Sequence, residues 1–539
     1  MKYNRLIISI ILLVISMSPF STAFAKSNLN ISSVELIDFI ERPEMGVTQK
    51  KVVDLVWHSL KQALKQNTHL TENDLLDAAD DVTKYLRDKG FKFATAHLPE
   101  QNLSSGRLKI AIIEGKLGDI QCPGEEREYA CASIRSAFSD LLGQPIYEPE
   151  FTKRLNQLRL DPRIDLFGYF SRGSKLGETR VNFKVKKFQR WQFSVSADNF
   201  GNPATGKNRL NLKSSLFSPL DRFDTLMAGL SLSKGDDGSE VSTYGYIAYD
   251  LPLWNLSNRI SLFLANNLFD VGGDFTTLEL EGDSRVAVIE YKYDWGDRFL
   301  QQSIGVAAQY IETDYKSAFN SPSLEPDEDE TAGKISWQFS SFSTSGLSNF
   351  NSRISYVGGQ YTSNQFTEKR DFAKLELSFS AQTLFAPKSR LANQWRLLIN
   401  GQYAEKPLPN AEQRSLSGIN GVRAIEAGYF SGDRLAYSAV ELRFPRFFGD
   451  GLFGEWLLGE SEAIRIQPLI FIEGAYGEKL QGNRVYDRTH ASGVGIGLEF
   501  SSNQTFFGRV YVMDLLESYS LSNTAAEKMS VLAELGFSF

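Results

Sequence analysis

The chain has 539 residues, 42% hydrophobic and 23% charged, too apolar for a disordered polypeptide. Lys and Arg total 58 against 65 Asp and Glu, a formal charge of −7, which argues against a general nucleic-acid binder with its basic face. No run of 18 apolar residues follows residue 25, so helices do not carry the chain across a membrane, whereas a barrel with alternating strands stays open.

Residues 1–25 read as a secretory signal peptide. Lys2 and Arg5 precede the apolar Leu6–Met17 segment, and Ala23-Phe24-Ala25 has the small-residue cleavage pattern. Cleavage takes the formal charge from −7 to about −9. Cys122 and Cys131 are the two cysteines; in an oxidising exported compartment a disulfide closing this short segment is the default. Metal binding is not expected, because two thiolates need further ligands and the four histidines, His58, His69, His97 and His490, are scattered. No cofactor is expected.

The next stretch is α+β. Ser33–Glu41 reads as a strand. Val47–Gln66 reads as a helix with its stripe at Val52, Val53, Val56, Leu60, Ala63 and Leu64. Thr71, with Asp74 three residues on, caps a second helix whose stripe is Leu75, Leu76, Ala79, Val82 and Leu86, and Gly90 stops it. Phe91–Leu98 and Leu108–Leu117 read as strands, with Ser104-Ser105-Gly106 as the turn between them. The pattern then recurs: helices over Ala132–Leu142 and Glu148–Leu158, strands over Ile164–Ser171 and Thr179–Lys187. Two small α+β units, 26–118 and 119–187, suggest periplasmic adaptor modules.

From about Phe188 the period becomes two. Leu226, Ala228, Leu230 and Leu232 alternate with Met227, Gly229 and Ser231; Ile304, Val306, Ala308 and Tyr310 alternate with Gly305, Ala307 and Gln309. No helical pattern covers those apolar faces, which favours a lipid-facing barrel over a sandwich. Six of the seven Trp lie at or beyond Trp191, as aromatic girdles require. Thr313–Gly333 reads as a long acidic turn, and Glu325–Glu330 within it as a solvated loop rather than a Ca²⁺ site. The end, Val531–Phe539, alternates and finishes on Phe537 and Phe539, the aromatic ending of an outer-membrane assembly signal. Residues 188–539 are enough for about 14–18 strands.

Several stretches together resemble the two-partner secretion outer-membrane transporters, the haemolysin secretion/activation family, within a wider superfamily of barrels preceded by POTRA domains. Gly90–Gln101 and Gly106–Gly115 resemble the end of a POTRA domain. Asp198-Asn199-Phe200-Gly201 with Thr205-Gly206 and Arg209 resembles the first barrel hairpin. Gly421-Val422-Arg423, Gly432-Asp433-Arg434 and Glu441-Leu442-Arg443-Phe444-Pro445 resemble the loop folded into the lumen and the strand after it.

The resemblance implies two POTRA domains, a sixteen-stranded transmembrane antiparallel β-barrel over 188–539 with an inward-folded loop around 405–433, and export of one large β-helical partner captured unfolded in the periplasm. It further implies biogenesis by the barrel assembly machinery, contact with outer-membrane lipid, and a monomeric barrel without nucleic-acid partners. The family loop reads Val-Arg-Gly-aromatic; here it is Val422-Arg423-Ala424-Ile425. The family arginine pairs with an acid in a Phe-x-Asp pattern, here Phe471-Ile472-Glu473, so an Arg423–Glu473 ion pair inside the lumen is expected. Only about 6–10 residues separate Ala25 from the first strand, too few for the family's pore helix, so either the plug is absent or another element closes the pore. No G-x-x-x-x-G-K-[ST], G-x-S-x-G or H-E-x-x-H sequence points to a nucleotide site or an enzyme. An assembly factor of the same superfamily is the alternative.

Overall fold

In the computed structural model, the described residues are 30–539 without 67–68, 126–127, 160, 162, 235–240, 272–279, 298, 318–326, 386–392, 446, 450–463, 503–505, 522–527 and 530. Ala23 and Ala25, with the rest of the signal segment, lie outside them. The chain divides into two compact units: one reaches Lys116 and includes Pro145–Glu148 and Lys175–Glu178, and the other holds the remainder.

The first unit contains β1 (Ser33–Ile37), α1 (Gln49–Gln66), α2 (Glu72–Asp88), β2 (Thr95–His97) and β3 (Arg107–Ile113). The helical stripes bury Val52, Val56 and Leu60 on α1 and Leu75, Ala79, Val82 and Leu86 on α2, while Leu64 and Leu76 are exposed. Thr71 accepts the Asp74 amide, and the Asp74 carboxylate accepts the Thr71 amide in return. The sheet runs β1-β3-β2, with β1 parallel and β2 antiparallel to β3. Two strand readings are corrected. Phe91–Leu98 shrinks to β2, because the Ala94 amide turns back onto the Phe91 carbonyl. Leu108–Leu117 is cut at Gly115, where φ is +71° and a Cβ would overlap Phe93.

Lys116–Gln121 is therefore β4, the first strand of a second sheet, which the alternation through Leu117 concealed. It is followed by α3 (Glu128–Ala137), α4 (Glu148–Arg159), β5 (Ile164–Arg172) and β6 (Glu178–Phe188). Helix α3 starts earlier than Ala132, with Glu128 favourably placed in its first turn. The order β4-β6-β5 repeats that of the first sheet and makes β5 an edge strand among the described residues.

The wall is a closed barrel of β7 (Trp191–Asp198), β8 (Asn208–Phe217), β9 (Thr225–Lys234), β10 (Ser242–Pro252), β11 (Asn258–Val271), β12 (Leu280–Gly296), β13 (Leu300–Lys316), β14 (Glu328–Phe342), β15 (Ser348–Ser363), β16 (Phe366–Phe385) and β17 (Asn393–Ala404), then a second group. Inside the 405–433 segment, β18 (Arg414–Ser415) and β19 (Ser431–Gly432) form a small ladder. The wall resumes with β20 (Arg434–Arg443), β21 (Phe447–Gly449), β22 (Ile464–Gln481), β23 (Arg484–Ser501), β24 (Phe506–Ser520) and β25 (Val531–Ser538). Counting β20 and β21 as one interrupted strand, the described residues form a 16-strand barrel.

Each strand pairs antiparallel with the next, and β25 closes on β7 through Glu534↔Asp198 to Ser538↔Ser194. The outward positions are apolar: Ile304, Val306 and Tyr310 are exposed, while Ser303, Gly305 and Ala307 on the other face are buried. Trp191, Trp254, Trp295 and Trp395 all stand at the end where the chain enters from β6, so these girdle residues mark one rim. No described helix is long and apolar enough to cross a membrane.

Strand length shortens the expected acidic turn, of which residues 318–326, Glu325 among them, lie outside the described residues. β13 runs on to Lys316 and β14 starts at Glu328, so Glu328 and Glu330 are wall residues rather than a solvated loop, and Glu330 is buried.

Candidate functional site in the barrel lumen

The segment between β17 and β20 folds back into the barrel. Asp433 ties its two limbs: one carboxylate oxygen accepts the Leu408 amide at 2.8 Å, the other the Leu480 amide of β22 at 2.6 Å. A tight turn over Leu416–Val422 needs glycine at two places. Gly418 has φ +79°, and a Cβ at Gly421 would overlap the Leu416 carbonyl. Leu416, Val422, Ala424 and Ile425 are fully buried against Phe471, Tyr511, Met513 and Leu532 of the wall. Burial of that apolar surface is what holds the loop down.

Arg423 lies between these apolar neighbours. Its Nε donates to Glu473 Oε2 at 2.8 Å and its own amide donates to Glu473 Oε1 at 2.5 Å. Nη1 donates to Glu441 Oε1 of β20 at 3.0 Å. The guanidinium stacks 3.6 Å over the Phe471 ring, and Tyr437 Oη donates to Glu473 Oε2 at 3.2 Å. The network continues outward. Arg443 donates to Glu441 Oε2 at 3.0 Å and to both oxygens of Glu499 at 2.8 and 3.0 Å, and Tyr511 Oη donates to Glu499 at 3.1 Å. A buried arginine that satisfies two carboxylates, each held by further donors, is costly to break from either side.

The structure thus brings Arg423 to Glu473 with Val422, Ala424 and Ile425 around it. Glu441, Arg443 and Glu499 carry roles the sequence reading did not assign; Glu441-x-Arg443, two charges two residues apart on one strand face, was the available signal. Ala424 packs on Gly493, and the Ile425 backbone bridges Lys528. Cys122 and Cys131 are joined by a disulfide between the end of β4 and α3. The Phe537 ring lies 5.6 Å from Phe506, and exposed Phe539 exchanges backbone hydrogen bonds with Phe193 at the barrel seam. At the first hairpin, Asp198 accepts from Arg209 Nε and Asn211 Nδ2, both at 2.7 Å. No group of three or more metal-ligating side chains occurs among the described residues.

The haemolysin secretion/activation protein family ShlB/FhaC/HecB matches residues 177–500, and a ShlB-type POTRA domain matches 53–115. The chain belongs to that family. It is an outer-membrane transporter of two-partner secretion, with a large secreted protein as its partner. The heme/hemopexin transporter protein HuxB of Haemophilus influenzae strain 86-028NP is 24% identical over 541 residues, covering 93% of this chain and 86% of that one. The structure of CdiB from Escherichia coli has TM-score 0.67 at 17% identity, covering 97% of this chain and 93% of that chain. BamA from Haemophilus ducreyi lacking POTRA domains 1–3 has TM-score 0.50 at 13% identity, covering 95% of this chain and 100% of that chain. These two likenesses are of fold.

Proposed function

We propose that this transporter captures its partner unfolded on the edge of β5 and passes it outward when the loop carrying Arg423 yields. The observation that carries the reading is the 405–433 segment, folded into the lumen of a closed barrel and held by a buried ion network. On this reading the loop closes the pore.

Edge strand β5 has nine residues, and Phe167 and Tyr169 are exposed on one face of it. An extended client can add itself as a further strand there, with its apolar side chains on those rings. The sequence has no nucleotide-binding loop, so folding of the β-helical client outside supplies direction. The disulfide between Cys122 and Cys131 stiffens the module that presents β5. The barrel works as a monomer in outer-membrane lipid, placed by the barrel assembly machinery, which reads the Phe537–Phe539 end.

Comparative proteomics of the culture supernatant and outer membrane, with and without the gene, tests the reading. Loss of one large secreted protein with other barrels unchanged is expected. A broad fall in barrel proteins with no single missing exoprotein overturns it in favour of an assembly factor.

A further inference from the structure

The first limb of the lumen loop has its own anchorage, on strands far from Glu473. Glu412 ends the short turn Asn410–Glu412 and is buried. Its Oε2 lies 2.6 Å from Lys374 Nζ of β16, which also donates to the Glu412 carbonyl at 2.9 Å. Its Oε1 accepts from Gln309 Nε2 of β13 at 2.5 Å, and the same nitrogen lies 2.9 Å from Glu330 Oε1 of β14. Half-buried Glu328 takes the backbone and side-chain amides of Asn410 at 2.9 and 3.2 Å. From β17, neutral Gln402 accepts from Lys374 at 3.3 Å.

The charges in this cluster do not balance. Lys374 also meets Glu376 at 2.9 Å, and Glu376 meets Lys334 at 3.1 Å. Two lysines therefore oppose Glu330, Glu376 and Glu412, before Glu328 is counted. One oxygen of Glu330, a side chain only 1% exposed, has no hydrogen-bond partner among the described residues. Two buried carboxylates that share one amide nitrogen repel when both are ionised, and a proton on the orphan oxygen of Glu330 removes the repulsion. The Arg423 network differs. Arg423, Arg443 and Arg396 face Glu473, Glu441 and Glu499, and guanidinium charge persists at any physiological pH.

We propose that Glu412 is the positioning residue of a second, proton-dependent latch. One proton on the orphan oxygen of Glu330 keeps the first limb docked on Lys374 and Gln309. Losing it frees that limb while Arg423 stays bound. The inference rests on the reading of the loop as the element that closes the pore. A single-proton event changes the ratio of freed to docked loop by up to about tenfold per pH unit.

The test is ion current through the purified full-length chain in planar bilayers, titrated from about pH 4, the ordinary carboxyl range, to about pH 9. The wild-type open fraction is expected to rise with pH. Glu330→Gln, whose amide replaces the proton on that oxygen with a permanent donor, is expected to stay closed at the alkaline end. Lys374→Gln is expected to open at all pH values. Arg423→Ala is expected to open more at every pH while keeping the wild-type slope. Heat-modifiable gel mobility reports that each barrel has folded. A flat wild-type profile, or Glu330→Gln with the wild-type profile, overturns the latch. If Arg423→Ala also leaves the current unchanged, the loop is not the closing element and both readings fall.

Discussion

The methyl of Ala424 rests on the bare α-carbon of Gly493. A Cβ built at Gly493 would stand 3.0 Å from Ala424 Cβ and 3.5 Å from Val422 Cγ1. The loop's extra methyl, where the family pattern has glycine, is thus received by a glycine on β23. Gly493→Ala is expected to overpack this contact by about 1–3 kcal/mol and lift the loop. Ala424→Gly in the same chain is expected to relieve most of that cost. Protease cleavage within 405–433 reads it: faster in Gly493→Ala, near wild-type in the double variant. Equal cleavage of the single and double variants would refute the pairing.

Arg423→Ala removes the shared partner of two buried carboxylates. Glu473 and Glu441 are then left buried without the group that tied them together, a change of about 3–5 kcal/mol against the docked loop. Secretion of the partner is expected to fall at normal barrel abundance, with raised ionic conductance. Arg423→Lys is expected to rescue little, because an ammonium cannot serve Glu473, Glu441 and the Phe471 face together. Full secretion by Arg423→Lys would show that charge alone suffices.

The parts of this fold that were legible repeat over a few residues. The stripes of α1 and α2 and the outward faces of the wall strands follow local periods of 3.6 and 2, so they could be read without partners. The break at Gly115 was hidden because Ile113 and Leu117 keep the alternation on either side. Arg423 and Glu473 were legible through motifs in the family resemblance. Glu499 was not, because its meeting with Arg443 depends on how strands 56 residues apart register across the barrel. Glu328 and Glu330 were misread because charge density looks like a loop until the strand is known to rise that far.

The reciprocal cap at the start of α2 gives a pH-dependent prediction outside the membrane. Hydrogen bonds from Thr71, side chain first and then backbone, hold the Asp74 carboxyl below its ordinary range. A depressed carboxyl contributes stability above its unfolded pKa of about 3.9, and the contribution is lost as pH falls through the lower folded value. Asp74 is partly exposed, so solvent screening limits the ionic share and the cap as a whole is worth about 1 kcal/mol. Thr71→Ala is expected to raise hydrogen exchange in the first turn of α2 about fivefold at neutral pH. The difference is expected to shrink in acid, where the Asp74 carboxylate's half of the cap is lost and the Thr71 hydroxyl keeps only the Asp74 amide. An undiminished difference there would show that the carboxylate contributes nothing to it.

Within the second unit, α3 meets the barrel at the turn between β8 and β9. Ser133 and Ser218 hydroxyls lie 2.7 Å apart, and Arg163 stacks 3.9 Å over Phe217. That turn holds three non-glycine residues in the left-handed region, Ser218, Asp221 and Phe223, with φ of 55°, 56° and 59°. Each costs about 1–2 kcal/mol. Asp224 offsets this by accepting the Leu220 and Arg222 amides and, at 2.5 Å, Tyr249 Oη. Phe223→Gly would relieve one strained residue but remove a ring buried with Phe188 and Phe217, a loss of about 3–5 kcal/mol, so packing wins and the variant is expected to loosen the turn. Asp224→Ala is expected to loosen it too, by stranding both amides. In both variants the strand pairs remain, so the barrel is expected to assemble at normal abundance while proteolysis at 218–224 quickens and secretion drops. Quicker proteolysis with undiminished secretion would show that a rigid joint between α3 and the barrel is dispensable for transport.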